Sequence, residues 1–220
     1  MSKHWQRQLF EVGLPGAGLD NGIVTDQLYL SIWLDRLNQS NRLHHFEKLL
    51  RLIPFTQREQ PQSVISIHAI DTTEPPLLER PLNGPIDIDD VMATLRDYGG
   101  EDIAYSVESW WDLWQYDKEW QLAPARIVVS CFGPEYDNGT ERETREQENF
   151  RIDFGVDTNY LPSELPGSPK LIESNIKSLL RLVHEIDLSL AVAKRRLETE
   201  TGENFADRLQ RALSVADPIQ

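Results

Sequence analysis

Apolar positions along the 220-residue chain change period several times, and each change predicts an element. From Asp26, Leu28, Ile32 and Trp33 fall on one face of a helix, with Thr25 or Asp26 as its cap. Leu43, Phe46, Leu50 and Ile53 follow at helical spacing, and Pro54 ends that run. Asn38 to Asn41 reads as the turn between them, so the region is expected to form an αα-hairpin. Ser63 to Asp71 then reads as a strand, carrying Val64, Ile65, Ile67 and Ile70. The prolines at 75, 76, 81 and 85 mark a loop.

Ile86 to Tyr98 predicts a short helix, capped by Asp87 or Asp89 and stopped at Gly99-Gly100. Ile103, Tyr105, Val107, Trp111 and Leu113 then alternate with Ala104, Ser106, Glu108, Trp110 and Asp112. That period of two predicts a long strand with one buried face. A helical turn near 109–116 is the competing reading, because Trp110 and Trp114 are also i,i+4 neighbours. Ala125 to Gly133 is a third strand, and its run Ile127-Val128-Val129 predicts burial on both faces. Residues 135–148 are a polar connection with a turn at Asp137-Asn138-Gly139. Phe150, Ile152, Phe154 and Val156 alternate with Arg151, Asp153, Gly155 and Asp157 as a half-exposed strand.

Ser168-Pro169 starts a long helix. Ile172, Ile176, Leu179, Val183, Ile186, Leu190 and Ala193 form a heptad stripe along it. A short helix through Phe205, Leu209 and Leu213 closes the chain. The expected fold is α+β: a mainly antiparallel sheet of about four strands (63–71, 102–114, 125–134, 149–158) against the αα-hairpin and the long C-terminal helix. Residues 1–25 are expected to be an irregular segment, and 26–215 a single domain. Gly13 to Gly18 matches neither the dinucleotide fingerprint nor a P-loop.

Charge sharpens this picture. The net charge is −14, and residues 84–168 alone carry 19 Asp/Glu against 6 Lys/Arg. Such a field repels nucleic-acid phosphate and anionic lipid, and attracts a basic protein or a cation. Acidic surfaces also serve solubility alone. No apolar run is long enough for a membrane helix, and the N-terminus has no secretory h-region. The single cysteine, Cys131, excludes an internal disulfide and fits a reducing, cytoplasmic setting.

Candidate chemistry is sparse. Asp87, Asp89 and Asp90 fit a helix start better than a metal site. The histidines lack ligand spacing, and no nucleophile elbow or other catalytic signature is present. No catalytic residue, metal or cofactor is assigned. Four of the six tryptophans, however, fall between 110 and 120. The strand reading turns Trp111 inward and puts Glu108, Trp110, Asp112, Trp114 and Tyr116 on the outer face. Asp153 and Asp157 are expected to share that side from a neighbouring strand.

These seven residues form the candidate binding surface. The expected function is a non-enzymatic interaction protein whose acidic, tryptophan-bearing face binds a basic protein partner, in an inhibitor or immunity-like role. A second reading is a small-molecule enzyme or ligand-binding domain with an aromatic and carboxylate pocket. A third is a structural homodimer through Ile172–Ala193.

Overall fold

The computed structural model describes residues 25–139, 147–162 and 167–216. The glycine-rich segment 13–18 lies outside them. The protein is α+β, built on a seven-stranded antiparallel sheet. The strands are β1 (Gln27–Leu34), β2 (Val64–Ala69), β3 (Leu78–Pro81), β4 (Ile103–Tyr116), β5 (Trp120–Phe132), β6 (Phe150–Val156) and β7 (Val192–Thr199). Their order across the sheet is β3-β2-β4-β5-β6-β1-β7. The helices are α1 (Arg42–Leu52), α2 (Ile88–Leu95), α3 (Ser168–Ser189) and α4 (Phe205–Ala216), with a 3-10 turn at Asp157–Tyr160.

Three expectations about the elements and their order need correction, besides the loop expected where β3 lies. The sheet has seven strands, not four. The N-terminal αα-hairpin does not form, because Gln27–Leu34 is a strand inserted between β6 and β7. Leu28 and Ile32 suit a helix, but Leu28, Leu30, Ile32 and Leu34 also alternate, and all four are buried. Tertiary pairing on both sides decided between two periods that short apolar runs satisfy equally. Finally, the last helix is the short α4, and the long helix before it ends sooner than its apolar stripe. α3 stops at Ser189, and the chain turns back as β7, which contains Ala193.

β3 and β7 are the sheet's edges, which explains why neither had a clear apolar alternation. Pro81 suits β3 because an edge strand has a backbone side that needs no donor. Lys194, Arg195 and Arg196 on β7 are charges of the kind that blunt an exposed edge.

Among the described residues, the helices α1, α2 and α3 cover one face of the sheet, and the other carries a small separate buried cluster of Ala104, Phe132 and Tyr136. Phe46, Leu49 and Leu50 of α1, Val91, Met92 and Leu95 of α2, and Leu179, Leu182, Val183 and Ile186 of α3 share one core with the inward residues of β1, β2, β4, β5 and β6. Phe46 lies at the centre, stacked on Phe150 and Tyr105 at 6.0 and 6.4 Å. Burying a side chain of this size contributes about 1.5–3 kcal/mol. The α3 stripe is used here: Ile172, Leu179, Val183, Ile186 and Leu190 are buried within the chain itself. α2 is capped as expected, with the Asp87 carboxylate accepting from the N–H groups of Asp89 and Asp90.

The other face is polar at its centre. A register row of Ser66, Ser106, Ser130, Arg151, Ser31 and Arg196 crosses six strands. Val128 also points this way and is half-buried, so the apolar run of β5 is covered on one face, not two. Among the described residues, no helix is long and apolar enough to cross a membrane.

Candidate functional site: the outer face of the β4–β5 ribbon

β4 and β5 outrun their neighbours. β2 pairs with β4 only up to Glu108, and β6 pairs with β5 only from Val128 to Cys131. Residues 109–116 and 120–127 therefore continue as a two-stranded ribbon, closed by a turn at Asp117–Glu119. The period of two persists to Tyr116, so the helical reading of 109–116 is excluded.

The ribbon's free edge is closed by groups from elsewhere. Thr56 donates its backbone N–H to Trp110 C=O at 2.8 Å, and Phe55 bridges to Trp111. Farther out, the buried Asn175 of α3 acts as a surrogate strand. Its Oδ1 accepts from Trp114 N–H at 3.0 Å, and its Nδ2 donates to Trp114 C=O and Asn159 C=O, both at 2.8 Å. An unpaired strand edge invites association with other strands, and this amide removes that liability at Trp114. Inward, Trp111 and Leu113 are buried, with Trp111 against Phe154 at 6.1 Å.

Outward, Trp110, Asp112, Trp114 and Tyr116 pair in register with Arg126, Pro124, Leu122 and Trp120. Tyr116 and Trp120 meet edge to face at 5.5 Å. Tyr116 is 40% exposed and Leu122 45% exposed. The Trp110 indole N–H donates to Gln62 C=O at 3.1 Å, which fixes that ring beside the sheet.

The candidate carboxylates do not converge. Arg126 reaches from β5 to Glu108 at 2.7 Å and to Asp153 at 3.3 Å. Burial pushes the Asp153 carboxyl above its ordinary value, while the Gly155 N–H and the Arg126 guanidinium pull it back. Asp112 is ion-paired to Arg58 at 3.3 Å and accepts from the Thr56 hydroxyl at 3.0 Å. Arg58 also donates to Leu122 C=O at 2.9 Å, so it lies along the ribbon.

Asp157 is not on this face. It opens the 3-10 turn fully buried, accepts from Asp26 N–H, and pairs with Arg208 of α4 at 2.5 Å. Five of the seven candidates thus line the ribbon and its base, Asp153 is tied to them through Arg126, and Asp157 belongs to the α4 docking site. The bridging arginines, 58 and 126, had no mark in the sequence beyond strand parity at 126.

A second aromatic region occupies the far side of the same face, and there the chain supplies its own cations. Lys194 lies 4.5 Å and Arg196 5.7 Å from the Trp33 ring. Arg151 sits between Tyr29 and Phe132, at 5.7 and 5.6 Å. These cation–π contacts use the ring faces that a ligand cation would need.

A pocket of about 250 Å³ opens beyond the end of β5, between Leu37, Asn38 and Arg42 on one side and Phe132–Pro134 and Gln147–Asn149 on the other. None of the seven candidates lines it. Arg42 is 1% exposed there, and its guanidinium is turned into the fold. It donates to Ile103 C=O, Gly100 C=O and the Tyr105 hydroxyl at 3.0–3.1 Å. Among the described residues, no group of three or more His, Cys, Asp or Glu is arranged to hold a metal ion. No family model, curated protein or solved structure matches this chain.

Proposed function

We propose that this protein is a non-enzymatic binding protein that docks a basic protein partner on the outer face of the β4–β5 ribbon. One observation carries the reading. Trp110, Trp114, Tyr116 and Trp120 share a face with Leu122 and Pro124 on a ribbon that projects beyond the sheet. Tyrosine and tryptophan in a partly exposed apolar patch are the composition of interface anchors.

Charge enters differently from the sequence expectation. Glu108, Asp112 and Asp153 are matched by Arg58 and Arg126, so they orient the patch rather than attract a partner. The attraction comes from the exposed rim, where Glu59, Asp117 and Glu119 outnumber Lys118, within a chain of net charge −14. Rim charges act chiefly on association rate and salt dependence, while buried anchors set dissociation. An inhibitor or immunity-like role in a reducing compartment is one form this binding takes.

The test is affinity capture from the native lysate, at low and high salt, with wild type and two variants. Trp114→Ser with Leu122→Ser is expected to lose the basic protein that wild type retains. Asp117→Asn with Glu119→Gln is expected to keep it only at low salt. Identical retention by all three proteins overturns the proposal.

A further inference from the structure

The cavity beyond the end of β5 has a buried charge on each side that the fold leaves incompletely matched. Its volume is about 250 Å³. That is room for about eight water molecules at ~30 Å³ each, and less than the roughly 300–1,000 Å³ of a drug-sized site. Leu37, Phe132 and Pro134 give it an apolar lining.

Arg42 carries the first charge. It is 1% exposed, and none of the ion pairs among the described residues includes it. The three groups it donates to are neutral: Gly100 C=O, Ile103 C=O and the Tyr105 hydroxyl, which in turn donates to Tyr98 C=O. Its Nε has no acceptor among the described residues. A buried cation is ordinarily matched by a carboxylate, because neutral acceptors leave its charge uncompensated. The guanidinium also lies against the cavity lining, since a Cβ on Gly133 would come within 2.5 Å of Nη1.

Glu148 carries the second charge, 6% exposed on the opposite side. Its Oε1 accepts from Arg151 and Asn138, and its Oε2 has no partner among the described residues. Beside it, Asn149 Oδ1 accepts from Leu34 N–H at 2.7 Å, and Asn149 Nδ2 has no partner among the described residues. The cavity thus offers a cation, a carboxylate oxygen and a neutral donor around an apolar lining.

We infer that the cavity binds a small zwitterion, a free α-amino acid with an apolar side chain. Its carboxylate faces Arg42, with Asn149 Nδ2 as a further donor. Its ammonium faces Glu148 Oε2, and its side chain lies on Leu37, Phe132 and Pro134. A simple anion would leave Glu148 unmatched, and a simple amine would leave Arg42 unmatched. A molecule carrying both charges answers both sides, through charge-assisted hydrogen bonds in a site shielded from water. The site is separate from the ribbon and stands whether or not the ribbon binds anything.

The probes are L-valine, L-leucine and L-phenylalanine, titrated calorimetrically into the full chain. The amide of each, which lacks the carboxylate, and the deaminated acid of each, which lacks the ammonium, are the controls. At least one amino acid is expected to bind and to raise Tm with its concentration. Its amide and its deaminated acid are expected to bind about tenfold more weakly. Glu148→Gln is expected to weaken the amino acid about tenfold without weakening the deaminated acid. Arg42→Met is expected to erase the preference over the amide; if that variant does not fold, the controls and Glu148→Gln decide alone. Trp114→Ser with Leu122→Ser is expected to bind the amino acid as wild type does. Failure of all three amino acids to bind overturns the inference. So does equal affinity for the amide or the deaminated acid, or unchanged amino-acid affinity in a folded Glu148→Gln.

Discussion

The two ends of β4 solve opposite problems. At the Tyr116 end, aromatic rings stand out on a ribbon, and Glu108, Asp112 and Asp153 at its base are matched by Arg58 and Arg126. At the Ile103 end, carboxylates gather on three loops (70–77, 99–102 and 133–139) without a lysine or arginine among them, around Ile70 at φ +71°. A buried polar side chain from a helix ties into each end: Asn175 of α3 at the first, Arg42 of α1 at the second. The contrast separates two uses of charge. Carboxylates paired to arginine orient a surface, whereas the net charge of the whole chain sets its field.

The largest way to break this comparison is at Arg42. Arg42→Met strands the Gly100 carbonyl, removes the guanidinium from the Tyr105 hydroxyl and leaves Ile103 C=O with the Gly133 N–H alone, and is expected to remove about 3 kcal/mol of stability. Denaturant unfolding measures the loss, and hydrogen exchange is expected to speed at the Ile103 end while the ribbon stays protected. Asn175→Ala should do the reverse. It gives up three hydrogen bonds for about 2–3 kcal/mol, with faster exchange in the ribbon and little change near Ile103. Matching exchange patterns in the two variants would mean the ends are not independently held.

A smaller, pH-dependent effect belongs to the Ile103 end, where Cys131 pairs in register with Tyr105. Burial pushes the Cys131 thiol from 9.0 up to about 12, and the Tyr136 hydroxyl from 10.0 up to about 12. The folded state favours both protonated forms. Their contribution is full below pH 9 and is lost between pH 9 and about 12, as the unfolded chain ionises first. Each group then steepens the decline by up to about 1.4 kcal/mol per pH unit. Melting curves of Cys131→Ala across this range are expected to show a shallower decline than wild type. The smallest effect is at Arg126. Arg126→Gln breaks two part-exposed ion pairs and should change stability by less than about 1 kcal/mol, an effect diminished by salt.

How much of this was legible depended on the kind of element. β4 announced itself because the alternation from Ile103 to Leu113 admits one buried face, although the spacing of Trp110 and Trp114 also allowed a helical turn at its end. α2 did so through Asp87, whose capping role needs only its near neighbours. β1 was misread because Leu28 and Ile32 satisfy two periods. β3 and β7 left little pattern, since edge strands keep polar residues on exposed sides. Among the candidate residues, parity placed Glu108, Trp110, Asp112, Trp114 and Tyr116 correctly on the outer face of β4. It failed for Asp157, because Gly155, at φ +72°, and the 3-10 turn end the alternation before it.

The sequence by itself determined the local preferences: where alternation forces a strand, where an aspartate starts a helix, and which β4 tryptophans face away from the core. Those follow from neighbours a few residues apart, whose geometry the backbone fixes. Only the tertiary structure decided that β1 pairs between β6 and β7, and that arginines neutralise the ribbon's acids while the opposite end gathers its own. These outcomes depend on contacts such as Asn175 with Trp114 and Ile70 with Asp137, 61 and 67 residues apart. No window of local sequence contains both partners of such a contact.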